Sequence, residues 1–417
     1  MQTPPRLKWG ALSLVLFSLI SIVMLVSVAT LLIITGLLKI PGLPGGDGFQ
    51  ISNLLLSSGV LLCAVLLIPG GYYAFNRLKG KPIPSAFLRP IPFWQLLIIL
   101  VAWIAVVVVS ELVGTTKLAW LFIPLLGLAG TALPILAFIR LGVGGLPLGS
   151  RQRAWGTFNV GMIAGPALAT LGEGIVYLGY VVLGVFVLIL HPEWMTIVER
   201  LLTQLNNATS IDQVLMLLEP YLLNPTAISL VLLALSVFVP LIEELVKPAG
   251  IWLLARRLTP REGFALGVLS GAGFALLESL VAMATNDSGW GLSMVVRAGG
   301  DILHILNTGL MGWAIASAWH ERRFLRLAVI YMLVVTLHGT WNAMTVIIVT
   351  SGLQASSSQQ VDMLGGGLVG LGTAVLAILS IAGAIALIAT NRKLRPAPER
   401  VAVPSPGDES TSPKNDV

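Results

Sequence analysis

The sequence predicts an all-α protein, a polytopic membrane helical bundle with about ten transmembrane helices. The 417 residues are 56% hydrophobic and only 11% charged, and the mean hydropathy is +0.91. Soluble domains keep roughly a quarter of their residues charged, so this composition excludes a soluble enzyme. The net charge of +6 would favour nucleic acid in a soluble chain, but here it describes basic loops beside a lipid bilayer, and we expect no nucleic-acid partner.

Ten apolar windows are each long enough to cross the hydrocarbon of a bilayer, which is about 30 Å thick. The first window follows Arg6 and Lys8 as in a signal sequence, but it is too long for a cleaved signal peptide. The fifth is long enough to hold a break at Pro166. The predicted spans cover residues 10–38, 53–76, 93–113, 118–139, 156–190, 226–255, 263–284, 297–319, 325–350 and 365–391.

Basic residues predict the orientation of these spans. With a cytoplasmic N-terminus and ten spans, most of the 25 Lys and Arg residues fall on inner segments, as the positive-inside rule requires. Splitting the fifth window would move three later basic loops outside. We therefore expect both termini to be cytoplasmic and the chain to be a multi-pass protein of the plasma or inner membrane.

The spans and loops divide the chain into five regions. Ser210 opens a sequence that resembles a capping box before an apolar stripe, which indicates helices on the outer interface. Cys63 is the single cysteine, so no disulfide framework exists. The regions are 1–190 with five spans, 191–225 as an outer loop with interfacial amphipathic helices, 226–350 as a four-span catalytic-like core, 351–394 with the tenth span, and 395–417 as a disordered cytoplasmic tail.

Ionisable residues concentrate in spans six to nine. Each costs about 2.5–3.5 kcal/mol at the centre of a span, and spans one to four and ten hold none away from their ends. At 1.5 Å per residue, most of them lie about 18–24 Å from the basic ends of their helices, so we expect them to meet in one pocket. The residues expected to meet are Glu243, Glu244, Glu278, His304 and His338, with Lys247 beside Glu243. Asp301 is expected to pair with Arg297 at the outer edge, and span five contains Glu173.

Local spacing refines this prediction. Glu243 and Lys247 are four residues apart and share a helical face, whereas Glu244 points about 100° away. Two carboxylates in different environments suit separate acid and base roles. His338 and Asn342 also share a face. Two further patterns concern the backbone: a kink at Pro248, and close helix approach at small residues, which are Gly267, Gly271, Gly273, Gly309 and Gly312.

Four motifs in this region resemble the PrsW-type intramembrane proteases, a family related to the CAAX prenyl endopeptidases of the Abi superfamily. The resemblance covers about residues 226–350. The related enzymes carry Glu-Glu-x-x-x-Arg, Phe-x-x-x-His and His-x-x-x-Asn. The motifs here are Glu243-Glu-Leu-Val-Lys247, Phe274-Ala-Leu-Leu-Glu278, His304 followed by Thr308 and Gly309, and His338-Gly-Thr-Trp-Asn342.

The resemblance implies an endopeptidase that hydrolyses peptide bonds of membrane-protein or peptide substrates, with anti-sigma-factor cleavage as the associated role. Glu243 or Glu244 would activate water, and His338 and Asn342 would stabilise the oxyanion or help to hold a metal. Two positions depart from the related enzymes. Glu278 stands where they have histidine, and Lys247 stands one residue before their arginine, so prenylated substrates are not implied.

The residues leave the role of a metal open. The predicted catalytic group is Glu243, Glu244, Glu278, His304, His338 and Asn342, supported by Lys247 and Phe274. Two histidines and a glutamate make a zinc site with an open fourth position, and Glu278, His304 and His338 are the candidate ligands. A metal-free mechanism, in which water is activated by glutamate and histidine, fits the same residues.

Other interpretations remain beside the protease. The charged residues of span six could form a structural ion pair, each histidine an interhelical hydrogen bond, and Asn342 a packing contact. Glu173 has no assigned role: a position on the substrate path and a local hydrogen bond are equally compatible with it. A proton- or ion-coupled transporter would also carry acidic and histidine residues at mid-membrane depth, and a non-catalytic membrane scaffold is the third alternative. The sequence does not predict the oligomeric state.

Overall fold

The computed structural model describes residues 8–37, 51–285, 289–358 and 363–396. Within these residues the chain is helical, and the only strand-like feature is an isolated bridge between Ser85 and Ser150. The all-α fold class is therefore confirmed. Most of the predicted cytoplasmic tail, residues 397–417, lies outside the described residues.

Long helices follow one another along the chain, with shorter ones between the fifth and the next long helix. They are α1 Trp9–Leu37, α2 Ile51–Leu78, α3 Phe93–Gly114, α4 Ala119–Val143, α5 Arg151–Leu190, α6 Met195–Asn206, α7 Ile211–Leu222, α8 Pro225–Leu233, α9 Val239–Val246, α10 Ala249–Leu254, α11 Pro260–Ala284, α12 Trp290–His320, α13 Phe324–Ser358 and α14 Met363–Leu394.

Nine helical segments of the described chain are long and apolar enough to cross a membrane, and the short helices α8 to α10 together form one of them, Pro225–Arg257. The predicted eighth span is present as α12, but this helix is too polar to be counted among the nine. Because α12 packs antiparallel against α11, it runs back through the bundle as a span does. Helix α5 continues through Pro166, so the fifth window is a single helix. The orientation of the termini stays a prediction.

Helices α11 and α12 touch along their backbones. Glycines recur every four residues on α11, and a Cβ atom added at any of them would collide with a carbonyl oxygen of α12. Only residues without a side chain allow two helices to approach so closely. The opposed pairs are Gly263 with Gly312, Gly267 with Thr308, and Gly271 with His304.

Helix α5 covers the other side of α11 through the same kind of contact. A Cβ at Gly161 would collide with the carbonyl oxygen of Ser270, and one at Gly273 with that of Phe158. Helix α11 is consequently the centre of the bundle, with 83% of its most apolar window buried. The predicted close approach at small residues is confirmed, and it fixes the rotation of α11 and α12 about their axes.

The sixth span is interrupted twice. A π-helical turn, Ala234–Phe238, separates α8 from α9, and the chain breaks again at Lys247 and Pro248 before α10. The kink predicted at Pro248 is confirmed, because proline has no N–H to continue the helix. Helix α9 is therefore an eight-residue segment that carries both glutamates of the first motif.

Basic residues from several predicted inner segments meet at one end of the bundle. Lys8 Nζ donates to the carbonyl of Arg77 at 2.8 Å, and Arg153 pairs with Glu262 at 3.0 Å. Helices α6 and α7 occupy the region predicted as an outer loop with interfacial helices. Ser210 caps α7 by accepting from the N–H of Gln213, which is one half of the predicted capping box. The side chain of Gln213 accepts from the N–H of Thr209 instead of that of Ser210, so the other half is absent.

Candidate active site

Lys247 lies at the centre of a buried group of polar side chains. Its ammonium nitrogen is 2.8 Å from Glu243 Oε2 and 2.7 Å from Glu244 Oε1. It is also 2.8 Å from His304 Nδ1 and 3.4 Å from His338 Nδ1. The side chains of Lys247 and Glu244 are fully buried. One ammonium group thus joins α9, α12 and α13, and we call these five residues together with Glu278 the polar cluster.

Carboxylates orient both histidines of the polar cluster. His304 presents Nδ1 to an ammonium group, which can only donate, so its proton belongs on Nε2, 3.0 Å from Glu278 Oε2. His338 places Nδ1 2.9 Å from Glu244 Oε1, which leaves Nε2 as the free acceptor, 3.8 Å from Glu243 Oε2. These tautomers follow from the hydrogen-bond network.

A second charged group adjoins the cluster on α11 and α12. Arg297 Nη2 lies 3.1 Å from Glu278 Oε1, and its Nε donates to Ser279 Oγ at 2.9 Å. Ser279 in turn donates to Asp301 Oδ1 at 2.5 Å. The distance from Arg297 Nη2 to Asp301 Oδ1 is longer, 3.9 Å, so the main carboxylate partner of Arg297 is Glu278. This group anchors Glu278 beside His304.

The two remaining predicted residues lie at the edge of the cluster. Phe274 faces Lys247, whose Nζ is 4.7 Å from the ring centroid, a distance typical of a cation–π contact. Asn342 Nδ2 donates to the carbonyl of Leu235 at 2.7 Å, inside the π-helical turn. Asn342 therefore makes a packing contact, which is one of the two interpretations given for it from the sequence. One hydrogen of its amide group is engaged in this hydrogen bond.

Three side chains of the cluster offer ligand atoms that converge. Atoms of Glu243, His304 and His338 lie within 4.8 Å of one another, and each histidine gives its other ring nitrogen to a carboxylate, an arrangement typical of metal-binding histidines. The donor set fits zinc. The carboxylate of this trio is Glu243, whereas the sequence suggested Glu278. Glu278 instead contacts His304 Nε2, the nitrogen that faces away from the trio. Lys247 Nζ shares the same donor atoms.

Glu173 is a neighbour that the sequence did not place. It lies on α5 directly after Gly172, which packs against Ile242 of α9, so its side chain neighbours Glu243. Its position inside an apolar span was a signal, but nothing in the sequence indicated which helix α5 would face. The predicted catalytic residues other than Asn342 are brought together around Lys247, whereas their chemical roles remain predictions.

The comparisons with known proteins concern the half of the chain that contains the cluster. Residues 175–382 match the model described as PrsW family intramembrane metalloprotease. Searches of curated proteins and of solved structures gave no match. The relation to the CAAX prenyl endopeptidases stays a prediction. The chain is a multi-pass membrane protein, and its region 175–382, with α9 and α11 to α13, is similar to the PrsW family of intramembrane metalloproteases.

Proposed function

We propose that the protein is an endopeptidase that hydrolyses peptide bonds of membrane-protein substrates within the bilayer. The observation that carries this proposal is the polar cluster itself: three glutamates, a lysine and two histidines joined by contacts, in a region that matches an intramembrane protease family. Burying these charges costs free energy that stability alone does not require, and a hydrolytic reaction uses all of these groups.

Glu244 is the proposed general base. One of its oxygens is held by Lys247 and His338, while Oε2 is buried and has no hydrogen-bond partner. A water molecule beside Oε2 would give its proton to Glu244 as its oxygen attacks the scissile carbonyl. The same proton then moves to the departing amine, so the carboxylate is regenerated.

Lys247 and His338 are the proposed groups that stabilise charge. The ammonium of Lys247 is the strongest donor in the cluster, and in a site without bulk water it favours the negative oxygen of the tetrahedral intermediate. The Nδ1–H of His338 holds Glu244 in place. Glu278 and Arg297 fix the ring of His304, so each histidine keeps one orientation during the reaction.

A metal ion fits the same site in this proposal. Glu243, His304 and His338 would hold it, and it would supply a Lewis acid that polarises the carbonyl and the attacking water. Glu244 and Glu278 would then orient the histidine ligands. The ammonium of Lys247 would have to give up its contacts with these donors, because it occupies their shared space in the structure.

The direct test is cleavage by purified protein in liposomes. Wild type and Glu244→Gln are incubated with a panel of single-span membrane proteins of the host, anti-sigma factors included. We expect at least one substrate to be cut, and Glu244→Gln to lower the rate about 10²–10⁴-fold, the usual contribution of a general base. Equal rates for the two proteins, or ion flux without cleavage, would contradict the protease and favour a transporter or a scaffold.

A second measurement decides between the two forms of the mechanism. Active protein is washed with chelator, and its metal content is measured by plasma mass spectrometry alongside His304→Ala, which lacks one ligand of the trio. Stoichiometric zinc in wild type and its loss in the variant would support the metal site. Full activity with no bound metal would leave the reaction to Glu244, Lys247 and His338.

A further inference from the structure

The cluster has one edge that is not enclosed by protein. The side chain of Lys247 is fully buried and that of Glu243 is 12% exposed, whereas Glu278 is 34% exposed. Glu173 is half-buried and reaches Glu243 from α5. Exposure therefore increases from Lys247 towards Glu173 and Glu278, and this edge is the direction from which a substrate would reach the buried groups.

Helix α5 is pressed against α9 at this point. A Cβ added at Gly172 would lie 2.6 Å from Ile242 Cγ2, so the two helices approach closely just before Glu173 and just before Glu243. Beyond this contact most of α5 is exposed, and Tyr180 Oη still donates to the carbonyl of Leu230 on α8 at 3.3 Å. The exposed side chains on its outer half include Tyr177, Leu178, Val182 and Ile189.

A half-exposed carboxyl group in an apolar span has few partners. Its charged neighbours are Glu243 on α9, Lys247 just after α9 and Glu278 on α11, and Tyr177 lies one turn further along α5. A carboxyl group has two oxygens, and contact with Glu243 can engage one of those of Glu173. The other oxygen stays available as an acceptor at the exposed edge.

The substrate of an intramembrane protease requires hydrogen-bond acceptors of this kind. A transmembrane helix must unwind before its peptide bond can be attacked, and each N–H released in hydrocarbon then lacks a partner, at a cost of several kcal/mol. An acceptor at the exposed edge would satisfy such an N–H. Glu173 has the required chemistry and position.

We propose that Glu173 is a substrate-binding residue of this site, whose carboxyl group, beside Glu243, accepts a backbone N–H from the unwound segment of the substrate. This inference rests on the proposed protease function. Glu173 lies outside residues 175–382, the region that matches the family model, so the match does not assign it.

Kinetics with the fastest-cleaved substrate of the panel test the proposal. Glu173→Leu removes the acceptor, so we expect KM to rise about tenfold, the effect of one lost hydrogen bond, with kcat within twofold of wild type. Glu173→Gln keeps an acceptor oxygen and should stay within threefold of wild-type KM. The control is Leu178→Ala, an exposed position on another face of α5, and it should change neither constant.

Other outcomes overturn the inference. A role confined to holding the helices together would lower the melting temperature or kcat of Glu173→Leu and leave KM unchanged. An unchanged KM in a folded Glu173→Leu variant removes Glu173 from substrate binding. If instead wild type cleaves nothing, or Glu244→Gln cleaves as well as wild type, the protease proposal itself has failed, which is a separate result.

Cross-linking gives an answer even if Glu173→Leu does not fold. Cys63 is buried and free, and it is replaced by alanine in a Glu244→Gln protein that keeps its substrate intact. We expect Glu173→Cys to form a disulfide with a cysteine placed beside the cleavage site of the substrate, and Leu178→Cys to form none. Equal cross-linking at both positions, or cross-linking only at 178, would contradict the proposal.

Discussion

Helices α3 and α11 show opposite relations between polarity and burial. The most apolar window of α3 has a mean hydropathy of 2.9 and is only 6% buried, whereas that of α11 has a mean hydropathy of 1.8 and is 83% buried. In a soluble protein the apolar helix would be inside. In a bilayer the surroundings are as apolar as leucine, so small and polar residues occupy the interior of the protein. The less apolar helix α11 therefore lies at the centre of the bundle and carries Glu278 of the polar cluster.

The largest loss of stability is expected when the central cation is removed from this interior. Lys247→Met leaves two glutamates buried without a partner cation, which costs about 3–5 kcal/mol for a buried ion pair. Chemical unfolding in detergent measures the change. Lys117→Met, at an exposed position, should leave stability unchanged, and a similar effect of both substitutions would contradict the central role of Lys247.

A smaller loss is expected from a single methyl group between α11 and α12. Gly267→Ala places its Cβ against the carbonyl of Thr308, and because a backbone atom cannot rotate away, we expect a loss of about 1–3 kcal/mol. Gly179→Ala on α5 meets nothing within 4 Å. It should be neutral or gain up to about 1 kcal/mol from helix propensity. Equal stability of the two variants would show that the helices can separate at little cost.

Asn342→Ala separates a packing role from a catalytic one. Losing its hydrogen bond to Leu235 should cost about 1 kcal/mol of stability and less than tenfold in cleavage rate. An oxyanion donor would instead cost about 10²–10³-fold in kcat, and that result would restore the role implied by the resemblance. Thr340→Ala is the control, since its hydroxyl bonds only within its own helix.

The smallest effect is expected on the lipid-facing surface. Val108 on α3 is 51% exposed and Val268 on α11 is fully buried, so the same Val→Ala change compares the two environments directly. We expect a loss within about 0.5 kcal/mol at Val108 and above about 1 kcal/mol at Val268. Thermal unfolding of both variants measures the difference, and equal losses would mean that α11 is not the packed centre of the bundle.

Depth in the membrane could be predicted from the sequence, because it follows from counting residues along a helix. This is why the spans and the meeting of Glu244, His304 and His338 were predicted, whereas the break at Pro248 was predicted from the missing N–H of proline. The motif spacing also placed Lys247 beside Glu243. The glycines of α11 correctly indicated where neighbouring helices touch.

Rotation and neighbourhood could not be predicted in the same way. Whether Glu243 or Glu278 faces both histidines depends on how α9 and α11 are turned about their axes, and apolar residues on all sides of a span give no such signal. The contact of Glu173 with α9 depends on which helices are adjacent. The acceptor for Asn342 is a carbonyl of the π-helical turn, and no residue of Ala234–Phe238 predicts that turn.

The π-helical turn also determines which one-residue deletions the first glutamate motif tolerates. A π-helical turn holds one residue more than an α-helical turn. Removing one residue between positions 234 and 238 would therefore convert it to an α-helical turn and leave the rotation of α9 about its axis unchanged. We expect such a deletion to preserve the glutamates and to cost only the acceptor at Leu235. A deletion within Val239–Val246 would instead turn part of that helix by about 100° and move at least one carboxylate away from Lys247.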